Sequence, residues 1–355
     1  MPTVAHGSKV LVTGANGYIA AWIVRNLLEK GYDVRGTVRT QEKGNRLKEI
    51  YEKFGYGDRF EFCIVSDIVK DGAFDEAVKG VDAIEHTASP VTFSTELEPQ
   101  ELIRPAVLGT VSILKSALYH GRDVQRIVFT SSCGAVLSVH PEPRIFNESN
   151  WNDQAVEMSE RDGKNAAPIT KYRASKVLAE RAAWKFLEEN KASINWDLVV
   201  INPPFVFGPV IHDVSTVSAL NLSTGQFYSF VVAPGEKAPQ VLRTNGNSWV
   251  DVRDVAEAHV AALQKEEAAN ERLIVSAGSV VWQDWLDIAY SIAPTHLPSH
   301  TNLPRGVPLS DSTGGDVMYQ INYDTSKADR ILGIKYRTKE ETLKDTFADY
   351  EARGW

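Results

Sequence analysis

The stretch VLVTGANGYIAAW (10–22) constrains this chain more than any other. KVLVTG (9–14) is apolar and β-rich, which predicts a buried strand. YIAAWIVRNLLEKG (18–31) has helical spacing and ends at Gly31. Gly14 and Gly17 sit between them, with Ala20 one turn further on. A glycine at the first position permits a tight turn, and one at the second lets backbone approach a pyrophosphate at a helix N-terminus. A small third residue lets helix and strand pack closely. A glycine triplet alone says little. This one closes a strand and opens a helix, which is the context a dinucleotide site requires. The expected contacts are Gly14, Asn16, Gly17, Tyr18 and Ile19.

The pattern that follows fits such a turn. Strands are predicted at 33–39, 60–66, 81–89, 126–132 and 196–204, and helical patterns intervene, a long one over 100–121 among them. Short apolar strands alternating with helices imply βαβ crossovers and a parallel sheet. The fold class is therefore α/β, a Rossmann-type doubly wound parallel sheet with a smaller, loop-rich C-terminal substrate region. Of 355 residues, 1–204 are assigned to dinucleotide binding and 205–355 mainly to substrate binding. Part of the second segment is expected to return to the sheet edge. A composition 43% hydrophobic and 24% charged allows a large core.

The end of the second strand selects the dinucleotide. An acidic residue there serves the ribose hydroxyls of NAD, whereas an arginine serves the 2′-phosphate of NADP. The sequence reads GTVRTQEK, with Arg39 at the strand end, Lys43 four residues on and Asp33 at the opposite end. NADPH/NADP+ is the expected cofactor, because a guanidinium binds phosphate bidentately.

Ser132 closes RIVFTSS at the C-terminal end of a predicted strand, where ligands bind in open α/β sheets. TKYRASKVLAE (170–180) reads as a helix, and Tyr172 and Lys176, four apart, share one face of it. Carbonyl reduction needs a proton donor beside the hydride acceptor. A free phenol with a pKa of about 10 is a poor one at neutral pH, and a lysine one turn away, near a positively charged nicotinamide in the oxidised state, would lower that value. Ser132 would donate a hydrogen bond to the substrate oxygen as charge develops on it. The same spacing recurs at Tyr323 and Lys327, where no cofactor strand precedes it. That pair reads as packing on an amphipathic helix.

With these motifs in place, the chain resembles an extended short-chain dehydrogenase/reductase. It is similar to the branch of dihydroflavonol 4-reductase, cinnamoyl-CoA reductase and yeast methylglyoxal (3-methylbutanal) reductase, the fungal members more than the plant ones. VTGANGYIA, SDI (66–68), HTASPV (86–91), FTSS, YRASK, NPPFVFGP and VDVRDVAEAH follow that pattern in order. The resemblance implies Ser132, Tyr172 and Lys176 as the catalytic set, with Tyr172 and Lys176 also holding cofactor. It places Asp67 and Ile68 at the adenine. Thr87, Ala88 and Ser89 line the path to the nicotinamide, and Pro203 and Val206 its carboxamide. Ala106 stands where many extended members carry Asn, so no proton relay through that position is implied.

Other features narrow the function. A net charge of −8 gives no general attraction to nucleic acid. The residues before KVLVTG lack a basic and an apolar segment, and no run of about 18 apolar residues occurs, so neither a secretory signal nor a membrane span is expected. A cytoplasmic protein is the expectation. Cys63 and Cys133 are expected to be free rather than bridged. HLPSH (296–300) contains a proline and lacks two-ligand helical geometry, so no metal is expected. Asp251, Arg253 and Asp254 read as architectural, and Trp282 and Trp285 as packing. Phe93, Phe205 and Tyr228 are candidates for the substrate border, and loops 90–100, 140–165 and 205–245 for its specificity. The leading reading is an NADPH-dependent reductase of a small aldehyde or ketone, acting as a monomer or homodimer. The alternatives are an NAD-retaining nucleotide-sugar epimerase and a non-catalytic NADP sensor. The first is disfavoured by Arg39 and by Cys133-Gly134-Ala135 after Ser132, where dehydratases of this scaffold carry an acid pair. The second is disfavoured because Ser, Tyr and Lys are all kept.

Overall fold

The computed structural model describes residues 4–90 and 93–355; Val91, in the HTASPV motif and the 90–100 loop, lies outside them. Among the described residues seven strands form one parallel sheet. They are β1 (Lys9–Thr13), β2 (Asp33–Val38), β3 (Phe60–Ile64), β4 (Ala83–His86), β5 (Arg126–Thr130), β6 (Asp197–Asn202) and β7 (Arg272–Ile274). The spatial order is β3-β2-β1-β4-β5-β6-β7. The winding reverses between β1 and β4, and ligands bind in the crevice at the C-terminal ends beside such a reversal.

Side chains alternate across the sheet, so each strand serves two cores. Val10 and Val12 of β1 join one buried cluster, with helices α1 (Tyr18–Glu29), α2 (Gln41–Lys53) and α5 (Val252–Gln264). Leu11 joins the other, with α3 (Pro99–His120) and α4 (Pro168–Glu189). Each fully buried Leu, Ile or Val contributes about 1.5–3 kcal/mol. By length and composition α3 could cross a bilayer, yet more than half of its most apolar window is buried inside the protein. Its stripe of Ile113, Leu114 and Ala117 packs into the second cluster.

Beyond β6 the chain builds a three-stranded sheet from Phe205–Phe207, Gly246–Asp251 and Ser279–Val281. An aromatic cluster under it includes Phe207, Phe227, Trp249 and Trp285, joined by α6 (Trp282–His296) and α7 (Lys339–Arg353). β7, at the edge of the large sheet, belongs to the segment 205–355. Asp251 caps α5 by accepting from Arg253 N at 2.8 Å, and Asp254 pairs with Arg337 across to the C-terminal segment. Both cysteines are free, and Cys133 is buried.

The Tyr323/Lys327 spacing is not a helix face. Tyr323 ends a short strand, Ile321–Tyr323, and Lys327 lies in a separate helix, Ser326–Leu332. Its ammonium donates to Glu271 at 2.9 Å. An aspartate and a threonine (324–325) break the helix that the spacing suggested.

Candidate active site

One cavity of about 580 Å³ opens where the C-terminal ends of β1, β4, β5 and β6 face the smaller sheet. Gly14, φ +65°, turns the chain out of β1; a Cβ there would lie 3.2 Å from the Ala88 Cα beyond β4. Thr13 ties the two strand ends together, its Oγ1 accepting from Thr87 N at 3.1 Å and Ala88 N at 3.0 Å. Gly17 caps α1 in extended conformation with no side-chain cap. The first-turn N–H groups of α1 are thus left to an anion, as a pyrophosphate cradle requires.

Ser132 follows β5 and begins a single tight turn, Cys133–Ala135. Its Oγ accepts from Gly134 N at 2.9 Å, which leaves its own proton to donate into the cavity. Asn202, at the end of β6, donates to the Ser132 carbonyl at 3.1 Å and fixes the turn. α4 brings Tyr172 and Lys176 to the same wall. The helix start is anchored by Lys171, whose ammonium donates to the carbonyls of Leu97 and Lys164, each at 2.7 Å. Gly134 is where the walls converge. A Cβ on it would lie 3.2 Å from Ser132 Oγ, 3.4 Å from Arg173 Cγ and 3.5 Å from Tyr172 Cε1.

Lys176 is only 5% exposed, its ammonium 5.9 Å from the centre of the Tyr172 ring. Burial pushes its pKa down to about 8, against the pull of Glu180 one turn on. Lys176 is expected to acidify Tyr172; the protein groups by themselves do the reverse. Burial raises the Tyr172 phenol above its ordinary value, and the Ser132 hydrogen bond only partly offsets this. Desolvation of the phenolate outweighs the Ser132 hydrogen bond and the Arg173 charge, which pull the other way. His86, at the end of β4, feels Lys176 too: burial first, and that cation second, push it down to about 3, so the imidazole is neutral.

Of the residues predicted at the cofactor, Gly14, Gly17, Tyr18 and Ile19 line the cavity, as do Thr87, Ser89, Pro203 and Val206. Tyr18 also has a structural task, donating from its hydroxyl to Gly208 O at 2.8 Å. Asn16 is half-buried, and Ala88 packs on the glycine turn; neither is a cavity wall. Arg39, Lys43, Asp67 and Ile68 lie outside the cavity, beyond the adjacent ends of β2 and β3, where Val38 pairs with Ile64. Arg39 and Lys43 are exposed, with no ion pair among the described residues. Asp67 accepts from Val69 N at 3.0 Å. Ile68 packs on α3 at Gly109, where a Cβ would come within 2.7 Å of it.

At the substrate end Phe93 and Phe205 line the cavity, and Phe93 lies 5.4 Å from the Tyr172 ring. Tyr228 does not; it packs edge-on against Tyr350. Trp285 is fully buried, but Trp282 reaches the cavity wall while stacking on Phe230 at 4.4 Å. Trp282 opens α6 at the cavity edge and Trp285, three residues on, is already in the core, which the sequence could not separate.

Three groups were not singled out in the sequence. Arg173 sits between Tyr172 and Lys176 in the chain and lines the cavity. Asn221 and Gln226 add amides from a loop-rich segment. Glu180 is fully buried beneath the site: it accepts from Ser131 Oγ at 2.6 Å and Asn202 Nδ2 at 2.9 Å, and pairs with Arg272 of β7. Its spacing of four from Lys176 was a usable signal, since it extends the Tyr172–Lys176 face by one turn.

Residues 10–278 match the NAD dependent epimerase/dehydratase family. The chain belongs to that family. It is an extended short-chain dehydrogenase/reductase. This dehydrogenase/reductase is 38% identical over 347 residues to the NADPH-dependent methylglyoxal reductase GRE2 of Saccharomyces cerevisiae, spanning 95% of this chain and 96% of that one. It is 36% identical over 342 residues to the ketoreductase azaE of Aspergillus niger, again 95% and 96% of the two chains. Its structure matches that of yeast methylglyoxal/isovaleraldehyde reductase Gre2 complexed with NADPH with a TM-score of 0.83, at 36% identity over 98% of this chain and 99% of that one.

Proposed function

We propose that this dehydrogenase/reductase is an NADPH-dependent carbonyl reductase that converts a small aldehyde or ketone to its alcohol. The observation that carries this reading is the convergence of Ser132, Tyr172 and Lys176 on one cavity wall, opposite the glycine turn. NADPH, when bound, supplies the hydride. The cradle at Gly14 and Gly17 and the unpaired Arg39 fit its diphosphate and 2′-phosphate. Ser132 donates to the substrate oxygen and holds it. Tyr172 carries the proton that oxygen takes up, and its raised pKa keeps the phenol protonated for that task. Lys176 places a positive charge behind the phenol as its proton leaves, and Glu180 keeps that charge in place. No carboxylate lines the cavity among the described residues, so the acid pair of a dehydratase has no counterpart. The test is NADPH oxidation across a panel of aldehydes and ketones, with NADH in parallel; absence of turnover throughout ends the proposal.

Arg39→Ala is expected to weaken NADPH binding by about 10- to 100-fold, the value of a lost charge-assisted phosphate contact. NADH, which lacks the phosphate, binds the variant as it binds the parent; fluorescence titration reads both. Lys176 serves as a cation, and its folded-state pKa is about 8, so it loses that charge as pH rises through this value. Accordingly kcat/KM for reduction is expected to be flat below about pH 8 and to fall about tenfold per unit above it. A profile level to pH 10 removes the cation from the mechanism.

A further inference from the structure

We propose that Arg173 makes this reductase selective for carbonyl substrates that carry a carboxylate beside the C=O, namely 2-oxo acids. The inference rests on the reductase reading above and specifies its substrate class.

The buried arginines among the described residues each donate to a carboxylate or to backbone carbonyls. Arg126 forms a bidentate pair with Asp197, at 2.6 and 3.0 Å. Arg272 pairs with Glu180, and Arg243 donates to the carbonyls of Val307, Pro308 and Asp311. Arg173 is the exception. It is half-buried on the wall of the cavity, and its side chain has no hydrogen bond or ion pair among the described residues. The groups that act on it electrostatically are the phenols of Tyr323 and Tyr172, not a carboxylate, and burial lowers its pKa. A partly desolvated guanidinium without an anion is costly, and a ligand that supplies one recovers that cost.

The surroundings fix the sign and place of that ligand group. The cavity wall holds two cations, Arg173 and Lys176, and no Asp or Glu among the described residues, although the chain as a whole carries a net charge of −8. Lys176 has Glu180 behind it; Arg173 has no such partner. The Arg173 stem lies over Gly134 together with Ser132 Oγ and Tyr172. A ketone oxygen held by Ser132 and Tyr172 therefore sits against the stretch of wall that Arg173 also borders. The anion it meets must be attached next to the carbonyl carbon. A planar carboxylate suits the guanidinium fork in a way a neutral ester does not. The reaction balances as for any ketone: the carbonyl carbon takes a hydride with its two electrons from NADPH, and the oxygen takes the Tyr172 proton. The products are a 2-hydroxy acid and NADP+.

The test compares 2-oxopentanoate with methyl 2-oxopentanoate in the full-length enzyme, with NADPH affinity measured alongside. The expected result is an acid-to-ester ratio of kcat/KM that falls by about 10- to 100-fold in Arg173→Gln. Arg173→Lys recovers part of it, with unchanged NADPH affinity. A ratio that stays within about threefold in Arg173→Gln, below the loss of one charged hydrogen bond, overturns the proposal. Equal losses on acid and ester, or weakened NADPH binding, reassign Arg173 to the fold or the cofactor and overturn it too. Should the variants not fold, the parent enzyme decides: pentanoate must inhibit ester reduction at least about tenfold more strongly than pentanamide, or the idea falls. Ester turnover without acid preference sinks this inference alone; no turnover of either compound, nor of any other carbonyl, sinks the reductase reading.

Discussion

Tyr172→Phe is expected to lower kcat for carbonyl reduction by about 10²–10⁴-fold, the usual contribution of a positioned general acid. NADPH affinity stays close to that of the parent, because the lost hydroxyl faces Ser132 and the substrate rather than the glycine turn. The two readouts separate chemistry from folding. The phenol is held protonated by burial, so the enzyme stores the required proton before substrate arrives. A phenylalanine keeps the ring against Phe93 and Lys176 and removes only that proton. Stopped-flow mixing of a preformed NADPH complex with aldehyde measures the step directly. Turnover within about tenfold of the parent leaves Tyr172 with less than a general acid contributes and would end its assignment as proton source.

Glu180→Ala is expected to destabilise the fold by about 3–5 kcal/mol, the cost of stripping one partner from a buried ion pair. Glu180 has no exposed surface, and it joins α4 to Ser131 after β5, Asn202 at the end of β6 and Arg272 in β7. Without it the Arg272 guanidinium keeps Glu148 O and Asn150 O and its stacking on Trp151, 3.9 Å from the ring centre, but no anion. The site responds as well. Glu180 is the group that raises the Lys176 pKa against burial, so its loss moves that pKa below about 8. The fall of kcat/KM with pH then begins at lower pH in whatever fraction folds. Urea unfolding gives the stability, and a loss under about 1 kcal/mol, the value of an exposed pair, shows that the network does not act as a unit. Glu180→Gln, which keeps the shape and loses the charge, separates packing from electrostatics through the pH profile.

Much of the site was legible because its parts are local. Gly14 and Gly17 between strand and helix, Arg39 at a strand end, and Tyr172 four residues before Lys176 are short-range patterns with a period. The glycines, Tyr172 and Lys176 predict the cavity wall without knowledge of the rest. The strand order is less local. That β7, formed by Arg272–Ile274, closes the sheet beside β6 depends on which edge remained free. Three adjacent residues were enough to form the strand but too few to announce it. Tyr228 and Trp282 exchange their expected places, since aromatic residues near a loop look alike until the core claims one and the cavity the other.

The sequence by itself determined the glycine turn, the arginine at the end of the second strand and the helical Tyr–Lys pair, because each is set by backbone geometry within about one turn of chain. Only the tertiary structure decided what those groups feel. The direction of the Tyr172 shift, the value near 8 for Lys176 and the unmatched charge of Arg173 arise from burial and from partners remote in the chain. Glu180 meets Arg272 across 92 residues. Desolvation and long-range pairing are properties of the packed interior, and no window of sequence contains them.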